Sequence, residues 1–176
     1  NKKNIHPTPV IGGVGLIKKL SQPLNHYFKG NNNKLILIGK TFGHLEQSCF
    51  LKENYSIDIG MPPEINLLNE KNNGESLLKL IEKNLVLSSH DISNGGLITA
   101  LSEMAINSNY GAKIQKPKKL TNIFRYFFGE DQARYIIEIE AQNLSKVEKI
   151  LKDNETYYEN IGHTQKEFFE IEGELK

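Results

Sequence analysis

The chain has 176 residues, of which 38% are hydrophobic and 24% charged, with a formal net charge of +1. That suits one domain with a packed core, alone or with a piece of another, and so balanced a charge excludes a strong field drawing the chain to nucleic acid or acidic lipid. The single cysteine, Cys49, excludes an internal disulfide framework and a cysteine-based zinc cluster, and no apolar run approaches the ~20 residues of a membrane span. One cysteine also fits a reducing cytoplasm. The polar, proline-containing N-terminus reads as no signal peptide, and the missing initiator methionine suggests a piece of something longer.

Pro7 and Pro9 force extended geometry on their neighbours. Val10 to Ile17 then reads as a strand with glycines at 12, 13 and 15. It lacks the lysine and hydroxyl of a P-loop. Ser21 to Asn33 is a loop, and Lys34 to Gly39 is a strand apolar enough to be covered on both faces. Strand ends of this kind present ligand groups, which makes Thr41 and His44 candidates; a turn with Thr41 bonding backbone explains them equally well. A helix is expected from about Leu45 to Leu51, with Cys49 as a half-buried helix thiol.

Met61-Pro62-Pro63 breaks the chain, and Glu64 to Asn84 reads as helix interrupted around Asn72-Asn73-Gly74. Leu85-Val86-Leu87 reads as a buried strand. Ser88 to Leu97 follows as a tight polar turn into a helix that runs to about Asn107, with Leu97, Leu101, Met104 and Ala105 on one face. Gly95-Gly96 at a helix start permits close approach to the backbone. Free N–H groups there favour an anion, and Asp91 could bind a metal or orient a donor. The plain alternative is that Ser93 or Asn94 caps the helix and the glycines allow the turn.

Tyr110 to Ile114 reads as a short strand, and Leu120 to Phe128 as a helix whose aromatics suit core packing. Lys116, Lys118 and Lys119 form the densest basic patch, read as a solvated loop. Phe128 to Arg134 is a second polar loop: Glu130 and Asp131 could hold Mg²⁺ or hydroxyls, or equally pair with Arg134. Tyr135 to Glu140 is a strand with Tyr135, Ile137 and Ile139 on one face. Ser145 and Glu148 make a capping box, and a last strand is expected near Phe168 to Ile171.

Three segments resemble one family. Pro7-Thr8-Pro9-Val10-Ile11-Gly12-Gly13-Val14-Gly15-Leu16-Ile17 looks like the linker strand of phosphoribosylformylglycinamidine synthase, in its small, separate-subunit synthetase form. Ser89-His90-Asp91-Ile92-Ser93-Asn94-Gly95-Gly96-Leu97 resembles that family's His-Asp-x-Ser-Asp-Gly-Gly-Leu turn, with Asn94 for the usual aspartate. Phe128-Gly129-Glu130-Asp131-Gln132-Ala133-Arg134 resembles its Phe-Gly-Glu-Asp-Gln-Ala-Arg loop. Gly43 to Ser48 resembles a family loop that usually has glycine where Glu46 stands, and the added carboxylate argues against close phosphate contact there.

The resemblance implies an α+β fold, a mixed sheet covered by helices, of the aminoimidazole ribonucleotide synthetase-like C-terminal domain type. Residues 1–17 would be a linker strand from the preceding ATP-binding-type domain, and 18–176 the C-terminal domain. The family is an ATP-dependent ligase that converts formylglycinamide ribonucleotide to formylglycinamidine ribonucleotide with glutamine-derived ammonia in purine biosynthesis. The resemblance further implies a cytoplasmic protein, ATP and Mg²⁺ bound mainly by upstream domains, and a glutaminase subunit and a small bridging subunit as partners. No nucleic acid or membrane partner, catalytic residue or metal ligand is expected within this chain. Asp91, Ser93, Gly95, Gly96, Glu130, Asp131 and Gln132 would border an auxiliary nucleotide or phosphate site, or be inherited geometry without a ligand. A non-catalytic docking domain, or a domain of a related synthetase or kinase, is the alternative.

Overall fold

The computed structural model describes residues 9–16, 24–117 and 122–173. At its centre is strand β1, Lys34–Ile38, whose last four residues are all buried. It pairs antiparallel with β4, Tyr135–Ile139, in the register Lys34↔Ile139 to Ile38↔Tyr135. On its other side it pairs antiparallel with β5, Tyr158–Gln165, with a register shift between Leu35 and Ile36. The remaining strands are β2, Ser88–Asp91, β3, Gly111–Ile114, and β6, Phe169–Ile171. The sheet order is β2-β4-β1-β5-β3-β6, antiparallel throughout except for the β3–β6 pair.

Alternation along β1 and β4 sends apolar side chains to both faces, so both need cover. Leu35, Leu37 and Ile136 pack against Leu97, Leu101 and Met104 of α3, Gly96–Ile106, and Tyr126 and Phe127 of α4, Ile123–Phe128. Ile36, Ile38, Ile137 and Ile139 pack against Leu80 of α2, Leu67–Glu82, and Val147 and Leu151 of α5, Leu144–Asp153. Each such side chain contributes about 1.5–3 kcal/mol by leaving water. The result is the expected mixed sheet covered by helices.

Several boundaries differ from the sequence reading. Helix α1 is Cys49–Tyr55, not Leu45 to Leu51: Gln47 has a positive φ of 56°, and Ser48 caps the helix by accepting from Leu51 N at 3.3 Å. Helix α2 runs unbroken through Asn72-Asn73-Gly74, because Asn73 turns inward and donates to the Ala133 carbonyl at 2.8 Å. Strand β2 begins at Ser88 rather than at Leu85; the Ser88 hydroxyl is buried at no cost because it donates to Glu138 at 2.7 Å. The Ser145–Glu148 capping box is unused, since a 3₁₀ turn at Ala141–Asn143 already leads into α5.

Strand β5 is eight residues long and precedes the strand expected near Phe168 to Ile171. Its Gly162, at φ +150°, sits where an added Cβ would strike the Lys113 carbonyl of β3. Residues 9–16 join no ladder, and Val10, Ile11, Val14 and Leu16 are exposed, so the strand expected from Val10 finds no partner within the described residues. Residues 1–8 and 17, the rest of that segment, lie outside the described residues, as do Lys118, Lys119, Leu120 and Thr121.

Candidate functional site

The turn after β2 carries the first group of candidate residues. Asp91 pairs with Tyr135 at the end of the ladder and its side chain is exposed. His90 turns back: one ring nitrogen lies 2.6 Å from the Asp91 carbonyl and the other 2.9 Å from the Glu103 carboxylate. Ser93 and Asn94 are exposed, and Ser93 O accepts from Gly96 N at 3.1 Å. Neither caps α3. The cap residue is Gly95, at φ +80°, with no side-chain bond of its own, and its N–H is taken instead by Glu130 Oε1 at 2.7 Å.

Gly96, at φ +71°, adopts a conformation that only glycine holds without strain. A Cβ there would lie 2.7 Å from the Gly129 carbonyl oxygen and 2.8 Å from that of Phe127. The close approach inferred from Gly95-Gly96 is therefore made at Gly96 by the chain's own backbone, where α3 meets the end of α4.

The loop between α4 and β4 holds that turn. Glu130 Oε1 accepts a second bond, from Cys49 N at the start of α1, at 2.8 Å, and Glu130 N donates to the His44 carbonyl at 2.9 Å. One carboxylate oxygen thus serves the N-termini of two helices, where negative charge is favoured. The Asp131 carboxylate is buried and lies in a nest of three successive backbone N–H groups. Phe42 N and Gly43 N donate to Oδ2 at 3.0 and 2.8 Å, and His44 N donates to Oδ1 at 3.1 Å.

Arg134 is fully buried and donates to the carbonyls of Asp131 and Gly129 and to Thr41 Oγ1. One of its terminal nitrogens lies 3.9 Å from Asp131 Oδ2. Burial lowers the guanidinium's affinity for its proton, and the Asp131 carboxylate opposes that shift. Among the described residues, no three His, Cys, Asp or Glu side chains come together to hold a metal ion. Of the two uses left open for these acids, the structure shows Asp131 beside Arg134 and both acids bonded to backbone.

Burial first, then Glu130, raise the Cys49 thiol's pKa, so the thiolate, its nucleophilic form, is disfavoured. Thr41 is buried against Arg134, whereas His44 opens onto a cleft of about 340 Å³ lined by Phe42, Pro63, Glu64, Asn66, Asn69, Asp131, Gln132 and Ala133 as well. Gln132 is the exposed member of its loop. Asn66 caps α2, its Oδ1 accepting from Asn69 N at 3.0 Å.

Just before the cleft-lining Pro63, three side chains secure Gly60 and Met61. Glu46 Oε2 accepts from Met61 N at 2.7 Å, Gln47 Nε2 donates to the Gly60 carbonyl at 2.6 Å, and His44 Nε2 lies 2.8 Å from the Met61 carbonyl. Glu46 therefore fastens a neighbouring strap. Asn66 and Asn69 are not among the residues expected at a site, although an asparagine three residues after Pro62-Pro63 is a recognisable helix start.

The fold and the family are fixed by comparison. The model of the AIR synthase related protein, C-terminal domain, matches residues 30–172. The phosphoribosylformylglycinamidine synthase subunit PurL of Pelagibacter ubique (strain HTCC1062) is 48% identical over 172 residues, covering 98% of this chain and 24% of that protein. A PurL of Rhodopseudomonas palustris (strain HaA2) is 37% identical, covering 98% of this chain and 23% of that protein. The chain thus spans about a quarter of the length of the curated relatives it matches. Among solved structures, Thermotoga maritima PurL complexed with FGAR superposes with a TM-score of 0.69 at 17% identity, over 86% of this chain and 27% of that one. Thiamine-monophosphate kinase from Stenotrophomonas maltophilia gives 0.60 at 14% identity, over 89% of this chain and 55% of that one. At these identities both show a shared fold.

Proposed function

Since the chain belongs to the AIR synthase related protein C-terminal domain family, we propose that it is the last domain of a phosphoribosylformylglycinamidine synthase synthetase subunit. The observation that carries this reading is the 48% identity to a PurL over nearly the whole chain. The parent protein would join ammonia to formylglycinamide ribonucleotide at the expense of ATP, in purine biosynthesis in the cytoplasm. ATP and Mg²⁺ would be held mainly by upstream domains, with residues 1–17 leading in from the nearest. The Thermotoga maritima structures include PurL complexed with ATP and an assembly described as PurLQS. They support ATP as co-substrate, and a glutaminase and a small bridging subunit as partners.

Within this domain, Asp91, Ser93 and Gln132, whose side chains are exposed, would border a nucleotide or phosphate. Gly95, Gly96, Glu130 and Asp131 shape the backbone beneath them. The test is turnover by the full-length protein with ATP, formylglycinamide ribonucleotide and ammonium. ADP formation that requires the ribonucleotide is expected. ATP consumption that requires thiamine monophosphate instead, or no substrate-dependent ADP, overturns the reading.

A further inference from the structure

Asparagine followed by glycine is the residue pair at which a chain most readily attacks itself. The glycine nitrogen, unshielded by a Cβ, adds to the carbonyl carbon of the asparagine side chain. This chain has two such pairs, Asn73-Gly74 and Asn94-Gly95, and the fold treats them differently.

Asn73 is buried within α2, and its Nδ2 donates to the Ala133 carbonyl at 2.8 Å. Its side chain is engaged elsewhere, and helical geometry holds Gly74 N away from it. Asn94 is exposed in the turn before α3, so nothing comparable restrains its side chain. There the restraint falls on the attacking atom. Gly95 N gives its proton to a hydrogen bond with Glu130 Oε1 at 2.7 Å, and Gly95 O accepts from Thr99 Oγ1 at 3.1 Å. Attack requires Gly95 N to lose that proton and turn toward Asn94 Cγ. A bond to a carboxylate is roughly twice as strong as a neutral one, and a negative charge beside the N–H opposes formation of the amide anion.

We propose that Asn94-Gly95 is a deamidation site that the Glu130 carboxylate holds in check. In the reaction Gly95 N bonds to Asn94 Cγ, the Cγ–Nδ2 bond breaks, and Nδ2 leaves as ammonia with the proton that Gly95 N gives up. Water then opens the cyclic imide, at Cγ to give aspartate or at the main-chain carbonyl to give isoaspartate. One water is consumed for each ammonia released, and no oxidant or cofactor is needed. The isoaspartate form lengthens the backbone by one carbon just before Gly95. The turn has no slack for that, since a Cβ on Gly96 would already lie 2.7 Å from the Gly129 carbonyl oxygen. Glu130 thus protects the junction of α3 and α4 chemically as well as by bonding it. This chemistry is independent of which ligand the domain binds.

The experiment is ageing of the full-length protein in mildly alkaline buffer. Mass spectrometry follows the conversion of amide to acid at residues 73 and 94, peptide by peptide, with the denatured protein as reference. Native Asn94, although exposed, is expected to react at least about tenfold slower than in the reference, the factor that corresponds to one bond to a charged group. Glu130→Ala is expected to speed Asn94 by about the same tenfold while Asn73 keeps its native rate.

Native Asn94 reacting within about twofold of the reference overturns the proposal, as does a Glu130→Ala rate within about twofold of the native one. Where Asn73 quickens as well, the alanine variant has opened the fold, and Glu130→Gln decides, because it keeps an acceptor oxygen without the charge. Asn94 quickening by about threefold in that variant, with Asn73 unchanged, supports the proposal; an unchanged Asn94 rate overturns it.

Discussion

Replacing Asp131 by asparagine tests the central claim about the site, that its second acid holds the protein rather than a ligand. The carboxylate receives three backbone N–H groups, at 3.0, 2.8 and 3.1 Å, with two on one oxygen and one on the other. An asparagine has a single acceptor oxygen. If that oxygen keeps Phe42 and Gly43, its amide NH₂ faces His44 N, a donor against a donor. That bond is lost, at about 1.5–3 kcal/mol for a bond to a charged group. The other two become neutral bonds of roughly half the strength, costing about another 1 kcal/mol. Arg134, 3.9 Å away and fully buried, loses its opposing charge. Relief from burying a carboxylate offsets part of this. The expected loss is about 3 kcal/mol, a large share of the ~5–15 kcal/mol of an ordinary domain.

For a chain of this size that corresponds to a fall of roughly 6–12 °C in Tm. Urea unfolding followed by far-ultraviolet circular dichroism and by tyrosine fluorescence reads it, since the chain has no tryptophan. Gln132→Ala, at the exposed neighbour, should stay within about 0.5 kcal/mol. A loss below about 1 kcal/mol for Asp131→Asn would mean that solvent replaces the nest, and the scaffold argument would fail.

Glu138→Gln should cost about 2–4 kcal/mol by calorimetry, because this fully buried carboxylate accepts from Lys29 N, Gly30 N, Asn33 Nδ2 and Ser88 Oγ, and an amide sets its NH₂ against donors. Gly96→Ala should destabilise by about 2–4 kcal/mol, since its Cβ meets backbone of the α4 end at φ +71°; Asn94→Asp on the exposed turn should change unfolding by no more than about 0.5 kcal/mol. Glu130→Gln should speed iodoacetamide modification of Cys49 at pH 8, because removing the neighbouring charge lowers a thiol pKa that burial and Glu130 raise. His163, whose pKa is lowered by desolvation and by Lys34 and Lys113, should make the chain slightly less stable as pH falls below ~6.5, where the unfolded imidazole protonates first, with the loss levelling off below the folded value; the urea midpoint of His163→Gln should lack that component.

Much of the fold was legible because burial leaves a pattern. Lys34 to Ile38 announced a strand covered on both faces, and Leu97, Leu101 and Met104 announced one face of α3. What misled was polarity in places where tertiary partners satisfy it. Ser88 and Asn73 are poor matches to strand or helix rules, yet Ser88 bonds Glu138 and Asn73 bonds Ala133 O. Such partners lie 50 and 60 residues away. Strand β5 is hard to read from sequence for a related reason: Gly162 weakens the pattern locally, and only the close passage of β3 explains why glycine is there.

The site shows the same limit more sharply. A glycine turn at a helix start and a loop with two acids form one hydrogen-bonded knot, but neither segment says by itself whether a carboxylate faces a cation or an N–H. The deciding groups, Phe42 to His44, stand 87 to 89 residues before Asp131. Once they converge, the acid cannot turn outward without leaving three backbone donors unsatisfied, which costs more than one ordinary ligand bond returns. Glu130 is restrained in the same way by Gly95 and Cys49. The side chains of Gln132, Asp91 and Ser93 are exposed, while the two acids hold the backbone of Phe42 to His44, Cys49 and Gly95.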